Sequence, residues 1–440
     1  MKNFIILLLS LILHISVSKA SDTAFVARTE KVLEFMLRGD FKSVSDQFDS
    51  TLAARISEKK LGDVWRNLIK NYGNFVKVKD VNSEAQPKYD VVTMRLELEK
   101  TSYDMRVVYG KENMIKGLFF SPTEKRKPYE PPAYADFNLF KETATRIETG
   151  DLKLAARYAM PNGAGPFPAV VLIHGSGPND KDESVGGTKI FRDLAFGLAS
   201  KGVAVLRYDK RTKVYPAKIK ESLHNLTVKE EVIEDVISAV NLLSKDSMID
   251  PNRIYLLGHS MGGMLLPRIV KQTASVKGLI YLAANCRPLE EQILLQANHL
   301  STHDTSGKGL SAVLDSIRSD IGRIKALTEK SRNDTSVIMH LPVSYWLDLK
   351  NYDPLAQAKL IEKPMLFLHG GRDYQVNDDE YNLWKSGLDG KKGVEFRYYP
   401  ELNHFLVKGS GVSMPSEYNI AANMEEQVID DIVTFIMRHK

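Results

Sequence analysis

The sequence predicts an α/β protein with a mostly parallel central sheet and helices on both faces, preceded by a small α+β domain. Short apolar runs rich in branched residues alternate with helical stretches over roughly the last 300 residues, which is typical of parallel strands buried on both faces. Ahead of them lie about 100 residues in which helices come first and strands follow, a pattern typical of an α+β domain. A proline-rich segment separates the two parts, so we expect two domains.

Residues 1–20 have the composition of an export signal. Lys2 precedes an apolar stretch, Phe4 to Leu13, and Ser18-Lys19-Ala20 places small residues at positions −3 and −1 of a cleavage site. An uncleaved membrane anchor is the alternative. We expect export to the periplasm or the exterior, with no stable membrane insertion after cleavage.

The overall composition excludes several functional classes. The formal net charge is +5, from 60 basic and 55 acidic residues, and this small excess does not predict nucleic-acid binding. Beyond the signal, no apolar run reaches the roughly 20 residues of a membrane-spanning helix. Cys286 is the only cysteine, so an intramolecular disulfide is excluded and the fold must depend on its core.

The front domain, residues 21–120, combines helices with a strand meander. Apolar residues at helical spacing predict one helix around Phe25 to Leu37 and another from Glu58 to Tyr72. The predicted strands contain Val76–Val78, Val91–Leu98, Met105–Val108 and Met114–Phe120. This domain shows no nucleophile–base pair and no ligand cluster, so its sequence predicts no activity. Residues 121–136 hold four prolines and predict an extended linker.

The back domain, residues 137–440, alternates strands with helices. Its best helix, Val228 to Leu243, begins with a capping box formed by Thr227 and Glu230, and a last helix runs around Glu425 to Met437. The predicted buried strands are Ala169–Ile173, Val203–Tyr208, Ile254–Leu257, Leu279–Ala283 and Met365–Leu368.

A nucleophile motif follows one of these strands. Gly258-His259-Ser260-Met261-Gly262 is G-x-S-x-G at a predicted strand-to-helix junction, where a sharp turn would lift the serine hydroxyl above the sheet. Side chains at Gly258 and Gly262 would collide with the neighbouring elements. We therefore predict Ser260 as a nucleophile; a structural turn serine is the alternative.

Its partners are selected by position. Of the ten histidines, His404 is the one that lies in a loop after a probable final strand near the C-terminus, so it is the predicted base. Asp373 follows the strand ending at Leu368 and is the predicted acid, because catalytic groups of open α/β sheets gather at the carboxyl ends of strands. Asp348 and Asp353 compete with it, but no buried strand precedes either.

Two backbone amides are candidates for an oxyanion hole. Met261 opens the helix after the nucleophile, and Ser176 lies in the glycine-containing loop after the first central strand. The acids of that loop, Asp180, Asp182 and Glu183, either contact a polar substrate or are solvated. They lack an accompanying set of histidines, so we predict no metal site.

At these residues the chain resembles the α/β-hydrolase superfamily, and more narrowly the dienelactone-hydrolase-like bacterial carboxylesterases. The matching motifs run the length of the back domain: HGSGPNDKDE (174–183), RYDKR (207–211), GHSMGG (258–263), YWLDLKNYDP (345–354) and GGRDYQV (370–376). The resemblance implies an α/β-hydrolase fold, the triad Ser260, Asp373 and His404, and hydrolysis of carboxylic esters without metal or cofactor. The front domain loosely resembles a small cystatin-like domain that precedes such enzymes.

A cap is expected between strands, at about 286–360, where the strand–helix alternation is interrupted. Tyr345, Trp346 and Tyr352 in this segment either line a substrate pocket or pack within the domain. The predicted partner is a small-molecule ester of short to medium acyl chain, and the sequence predicts no oligomeric state. The alternatives are a peptidase or aminoacyl hydrolase of the same fold and a non-catalytic binding module.

Overall fold

The computed structural model describes residues 23–86, 89–110, 112–123, 129–273, 275–303 and 310–439. The chain forms two compact units, one spanning Ser16–Lys125 and the other including Arg126–Lys440. The export signal predicted in residues 1–20 lies outside the described residues and stays a prediction. Within the described residues, no helix is both long and apolar enough to cross a membrane.

The smaller unit packs helices on one face of an antiparallel sheet. Its helices are α1 (Thr23–Arg38), α2 (Phe41–Ser45), α3 (Ser50–Ala53) and α4 (Glu58–Tyr72). Its strands are β1 (Phe75–Gln86), β2 (Tyr89–Leu98), β3 (Ser102–Gly110) and β4 (Ile115–Pro122), paired in that order. Alternate residues of β2 and β3 are buried against Val32, Met36 and Trp65 of the helices. The predicted α+β domain is therefore confirmed.

The larger unit is built on an eight-stranded sheet in the order β16-β15-β12-β11-β7-β10-β6-β5, with two short hairpins outside it. Its strands are β5 (Phe140–Thr149), β6 (Leu152–Pro161), β7 (Phe167–Ile173), β8 (Ser184–Val185), β9 (Thr188–Lys189), β10 (Ala204–Tyr208), β11 (Ile249–His259), β12 (Val276–Leu282), β13 (Val337–Ile338), β14 (Leu341–Pro342), β15 (Met365–Gly370) and β16 (Val394–Tyr399).

The helices of this unit follow its strands along the chain. They are α5 (Ile190–Ser200), α6 (Arg211–Val214), α7 (Pro216–Glu221), α8 (Glu234–Ser244), α9 (Met261–Val270), α10 (Leu289–Thr302), α11 (Ser311–Ala326), α12 (Val343–Leu349), α13 (Pro354–Lys359), α14 (Asp378–Gly387) and α15 (Glu426–Arg438). The segment between β12 and β15, where the cap was predicted, holds α10 to α13 and the β13–β14 hairpin.

The central strands are parallel and buried on both faces, as predicted. Strands β7, β10, β11, β12, β15 and β16 pair in parallel, and Ala169 to Ile173 of β7 are fully buried. The apolar runs have no alternation because helices cover both sides of a parallel sheet. The predicted α/β-hydrolase architecture is confirmed.

Two features of the larger unit differ from the sequence prediction. Strands β5 and β6 were not predicted; they pair antiparallel at the sheet edge, where buried and exposed residues alternate and no continuous apolar run forms. The segment predicted as a linker is also partly ordered against the larger unit, because Tyr134 donates its hydroxyl to the Met424 carbonyl at 2.9 Å and Tyr129 bonds to Asp193. Residues 124–128 lie outside the described residues.

Candidate active site

Ser260 stands on a strained turn between β11 and α9. Its backbone φ is 53°, in the left-handed region that costs a non-glycine residue about 1–3 kcal/mol. The Ser260 N–H donates to the carbonyl of Leu282 in β12 at 2.9 Å, and its own carbonyl accepts from Gly263 and Met264 as α9 begins. The side chain is partly exposed. This is the strand–turn–helix context that the sequence motif predicted.

The glycines around Ser260 are required by close packing of backbones. A Cβ at Gly258 would lie 2.4 Å from the Gly262 carbonyl, and one at Gly262 would lie 2.4 Å from the Ile173 carbonyl of β7. Gly263, which lies outside the G-x-S-x-G motif, is also constrained, since its Cβ would lie 2.5 Å from the Ala284 Cβ and 2.8 Å from the Gly258 carbonyl oxygen. Backbone contacts of this kind cannot relax by moving a flexible side chain.

The predicted base and acid lie side by side. His404 Nδ1 donates to Asp373 Oδ2 at 2.7 Å, and both side chains are buried. Asp373 follows β15 and its other oxygen accepts the N–H groups of Gln375 and Val376, each at 2.8 Å. The aspartate is therefore fixed by the backbone of its own loop and can fix the imidazole in turn.

The loop that carries His404 is hydrogen-bonded to His259, the residue next to Ser260. His259 Nε2 donates to the His404 carbonyl at 3.1 Å, and the two imidazole rings are 4.6 Å apart. Burial lowers the pKa of His404 below its usual value, and the Asp373 carboxylate opposes this shift without cancelling it. His404 is thus neutral near pH 7, the form a general base requires.

The loop after β7 lies against Ser260. A Cβ at Gly175 would lie 3.2 Å from the Ser260 Cβ and 3.2 Å from Glu183 Oε1. Ser176 follows Gly175, and the Asn179 side chain donates to the Ser176 carbonyl at 3.1 Å. Met261 is the first residue of α9 and is buried. Both predicted oxyanion residues therefore lie on elements adjoining the nucleophile, and the role of their amides stays a prediction.

The acids of this loop are neither solvated nor free to bind a substrate, in contrast to the sequence expectation for Asp182 and Glu183. Asp182 pairs with the buried Arg207 at 2.9 Å. Glu183 is 3% exposed and lies 3.2 Å from His259 Nδ1. Burial would raise the pKa of Glu183, but the neighbouring His259 outweighs it and lowers the pKa; Glu183 raises the pKa of His259 in the same way. Each of the two buried residues therefore favours the charged form of the other.

The three aromatic residues predicted for a substrate pocket have structural contacts. Tyr345 is buried and donates to Glu231 at 2.6 Å, and its hydroxyl lies 3.5 Å from Met261 Sδ. Trp346 is fully buried and donates to the Ile338 carbonyl at 2.9 Å, while Tyr352 donates to the Met264 carbonyl at 2.6 Å. Their contact with a substrate stays a prediction.

The two acids that compete with Asp373 in the sequence have other partners in the structure. Asp348 pairs with Arg268, and Asp353 caps the N-terminus of α13. Cys286 is a buried free thiol whose pKa burial raises to about 12, so it holds its proton at neutral pH. In the part of the chain that the structure describes, no group of three His, Cys, Asp or Glu side chains is arranged to hold a metal ion.

Two family models match this chain. The model described as serine aminopeptidase, S33 matches residues 166–409, which include Ser260, Asp373 and His404. The model described as a protein of unknown function (DUF3887) matches residues 29–118. The division between them agrees with the two compact units of the structure.

Characterised relatives and solved structures are also similar. Esterase EstD of Thermotoga maritima is 34% identical over 402 residues, covering 91% of this chain and 92% of that protein. Phospholipase YtpA of Bacillus subtilis is 26% identical over 160 residues, 32% of this chain and 59% of that protein. The structure of Est1E from Butyrivibrio proteoclasticus is 18% identical with a TM-score of 0.43, covering 67% of this chain and 98% of that chain.

Replacing Gly262 by alanine should disrupt the turn that carries Ser260. The new Cβ would collide with the Ile173 and His174 carbonyls, so the turn must open and we expect a loss of about 3 kcal/mol or more of unfolding free energy. Chemical denaturation measures this loss. Gly322→Ala is the matched control, because Gly322 is exposed in α11 with nothing near its Cβ position and should gain up to about 1 kcal/mol. Equal stability of the two variants would contradict the packing argument.

Proposed function

The chain belongs to the family described as serine aminopeptidase, S33, and we propose that it is a serine ester hydrolase acting on carboxylic esters of short to medium acyl chain. The observation that carries the proposal is the buried His404–Asp373 pair on loops that flank the strained turn of Ser260. The similarity to esterase EstD, which extends over nearly the whole length of both chains, supports the ester as substrate.

The mechanism is acyl transfer in two halves. His404 accepts the Ser260 proton as the hydroxyl oxygen attacks the ester carbonyl, and the amides of Met261 and Ser176 stabilise the resulting oxyanion. His404 then gives the proton to the departing alcohol, which leaves an acyl-enzyme on Ser260. Water, deprotonated by His404, attacks this acyl group, and the carboxylic acid is released as Ser260 recovers its proton.

Asp373 has a supporting part in both halves. Its hydrogen bond to Nδ1 fixes the imidazole tautomer, so that Nε2 is available to Ser260, and its charge stabilises the imidazolium formed in each half. The two backbone N–H groups that bind Asp373 Oδ1 keep the carboxylate oriented.

The second candidate is an aminopeptidase, which the description of the family model favours. An exopeptidase must recognise a substrate amine, whereas an esterase of small uncharged substrates need not. Turnover of p-nitrophenyl esters of increasing chain length beside aminoacyl p-nitroanilides separates the two. A preference for the esters supports our proposal, and a preference for the anilides supports the peptidase.

Ser260→Ala should abolish the activity. Without the hydroxyl no acyl-enzyme forms, and we expect kcat on p-nitrophenyl esters to fall by at least about 10⁴-fold and fluorophosphonate labelling to disappear. Ser386→Ala, an exposed helix serine, is the control and should behave like the unchanged protein. Full activity and labelling of the Ser260 variant would refute the proposed nucleophile. Absence of labelling in the unchanged protein would favour a non-catalytic binding module.

Asp373→Asn should lower kcat by about 10⁴-fold with little change in KM, because the amide no longer holds the required imidazole tautomer or stabilises the imidazolium. Steady-state kinetics on one ester measure this. The chain offers a matched control in Asp378→Asn, since Asp378 bonds to another buried histidine, His369, at 3.2 Å in the neighbouring segment. A comparable loss of kcat in both variants would argue against a specific role for Asp373.

The activity should persist to mildly acidic pH. The active form of His404 is neutral, and because its pKa in the folded protein lies below the ordinary value of 6.5, kcat/KM should fall to half of its maximum only at a pH below 6.5. Ester hydrolysis followed at the isosbestic wavelength of p-nitrophenol measures the profile, with circular dichroism at each pH to establish that the protein remains folded. Half-loss of kcat/KM well above pH 6.5 would contradict the assignment.

A further inference from the structure

Gly175, beside the nucleophile, is held by two buried charges of opposite sign. The ammonium of Lys210 donates to the Gly175 carbonyl at 2.9 Å, and the carboxylate of Glu183 accepts the Gly175 N–H at 2.8 Å. Neither contact is part of a regular secondary structure. The peptide groups on both sides of this glycine are thus oriented by side chains from elsewhere in the fold.

Each of these charges has a buried partner of its own. Lys210 pairs with Glu231 at 2.6 Å, and Glu183 lies 3.2 Å from His259. All four residues are buried, with at most 3% of their surface exposed. Buried ion pairs contribute little net stability, because desolvation offsets much of the attraction. Two such pairs at one glycine therefore need an explanation other than stability.

We infer that Lys210 is a positioning residue of the oxyanion hole. This role rests on the proposed function. The ammonium of Lys210 fixes the Gly175–Ser176 peptide in the orientation that presents the Ser176 N–H to the substrate oxyanion. In a planar trans peptide the C=O and N–H point in opposite directions. The bond from Lys210 to the carbonyl therefore directs the Ser176 N–H away from Lys210.

Because residue 175 is a glycine, the orientation of its peptides depends on the contacts with Lys210 and Glu183. A Cβ at this position would lie 3.2 Å from both Ser260 and Glu183, which is a tight contact, and a glycine lets its adjoining peptides rotate more easily than other residues do. The proposed oxyanion donor is thus attached to a glycine. The Lys210 and Glu183 contacts remove that freedom.

The same ion pair reaches the second oxyanion residue. The other oxygen of Glu231 accepts the Tyr345 hydroxyl, which lies 3.5 Å from Met261 Sδ. Glu231 therefore connects the lysine that holds the Gly175–Ser176 peptide to a tyrosine packed against Met261. Both proposed donors, from separate loops, share one buried support.

The test replaces the pair by uncharged residues of similar shape, Lys210→Met with Glu231→Gln. The glutamine still accepts the Tyr345 hydroxyl, so the change removes the contact to Gly175 and avoids an unpaired buried charge. We expect kcat on a p-nitrophenyl ester to fall by about 10- to 100-fold, as for a misplaced catalytic group, and affinity for a trifluoromethyl ketone to fall in parallel, with KM within about threefold. That ketone forms an oxyanion on Ser260 and so reports on the hole.

The matched control is the double change Arg211→Met with Asp235→Asn. Arg211 is the next residue in the chain, is also buried and pairs with Asp235 at 2.6 Å, and its guanidinium bonds to Asp235 and Glu234 rather than to Gly175. This control variant should lower Tm about as much as the first double variant, while its kcat and ketone affinity stay within about threefold of those of the unchanged protein. Should the first variant not fold, Lys210→Gln with Glu231→Gln, which also leaves no buried charge unpaired and shortens the donor side chain by one atom, should lower kcat and ketone affinity by at least about fivefold.

The outcomes separate this inference from the function on which it rests. Unchanged kcat and ketone affinity in the folded Lys210 variants would overturn the positioning role and leave the esterase proposal intact. An equal loss of kcat in the Arg211 control would overturn it too, because the effect would then be one of general stability. Absence of ester turnover and of labelling in the unchanged protein would overturn the proposed function, and the inference with it.

Discussion

The left-handed backbone of Ser260 is the constraint on which the site depends. Strand β11 must stop and helix α9 must start within one residue, which brings β7, β11 and α9 into backbone contact at Gly258 and Gly262. The cost of this conformation is offset by hydrogen bonds of Ser260 to β12 and to the first turn of α9. Any residue but glycine at either contact would push the strand and the helix apart and release the turn.

His259 extends this constraint to His404, the proposed base. As the last residue of β11 it is as rigid as the sheet, and it donates to the His404 carbonyl on one side while its other nitrogen faces Glu183. Since Glu183 also binds the Gly175 N–H, one chain of buried contacts runs from the base loop through the nucleophile turn to the oxyanion loop. The raised pKa of His259 and the lowered pKa of Glu183 mean that each residue favours the charged form of the other. The positive charge on His259 also helps to keep His404 neutral.

The sequence predicted those parts that depend on local patterns. The buried strands, the helix from Glu58 to Tyr72 and the position of Ser260 follow from apolar periodicity and from glycine spacing, and the structure has the elements at those places. Asp373 and His404 were selected because each follows a strand, and the structure brings them to 2.7 Å, although their catalytic role is still a proposal. Strands β5 and β6, the last two at one side of the sheet, were missed because exposed residues interrupt their buried ones and neither has a continuous apolar run.

The charged support of the site could not be predicted in the same way. Lys210 lies 35 residues from Gly175 and belongs to a stretch, RYDKR, that has the polarity of a solvated loop. Only the fold shows that the strand β10 ends beside β7 and carries this lysine under the oxyanion loop. The one signal in the sequence was the grouping of acids at 180–183 and bases at 207–211 directly after two strands, which indicates charges meeting at one sheet edge but not which of them pair.

Burying these charges lowers the stability of the fold, whereas their hydrogen bonds orient the Gly175–Ser176 peptide. Apolar residues in place of Lys210 and Glu231 would leave the Gly175 carbonyl and the Tyr345 hydroxyl without these partners, although replacing a buried ion pair by apolar residues is often neutral or stabilising in other proteins. A hydrophobic residue cannot select one orientation of a peptide, because dispersion forces are not directional, whereas an ammonium has N–H groups that must point at acceptors. The hydrogen bond from Lys210 to the Gly175 carbonyl therefore accounts for the position of this charge beside Ser260.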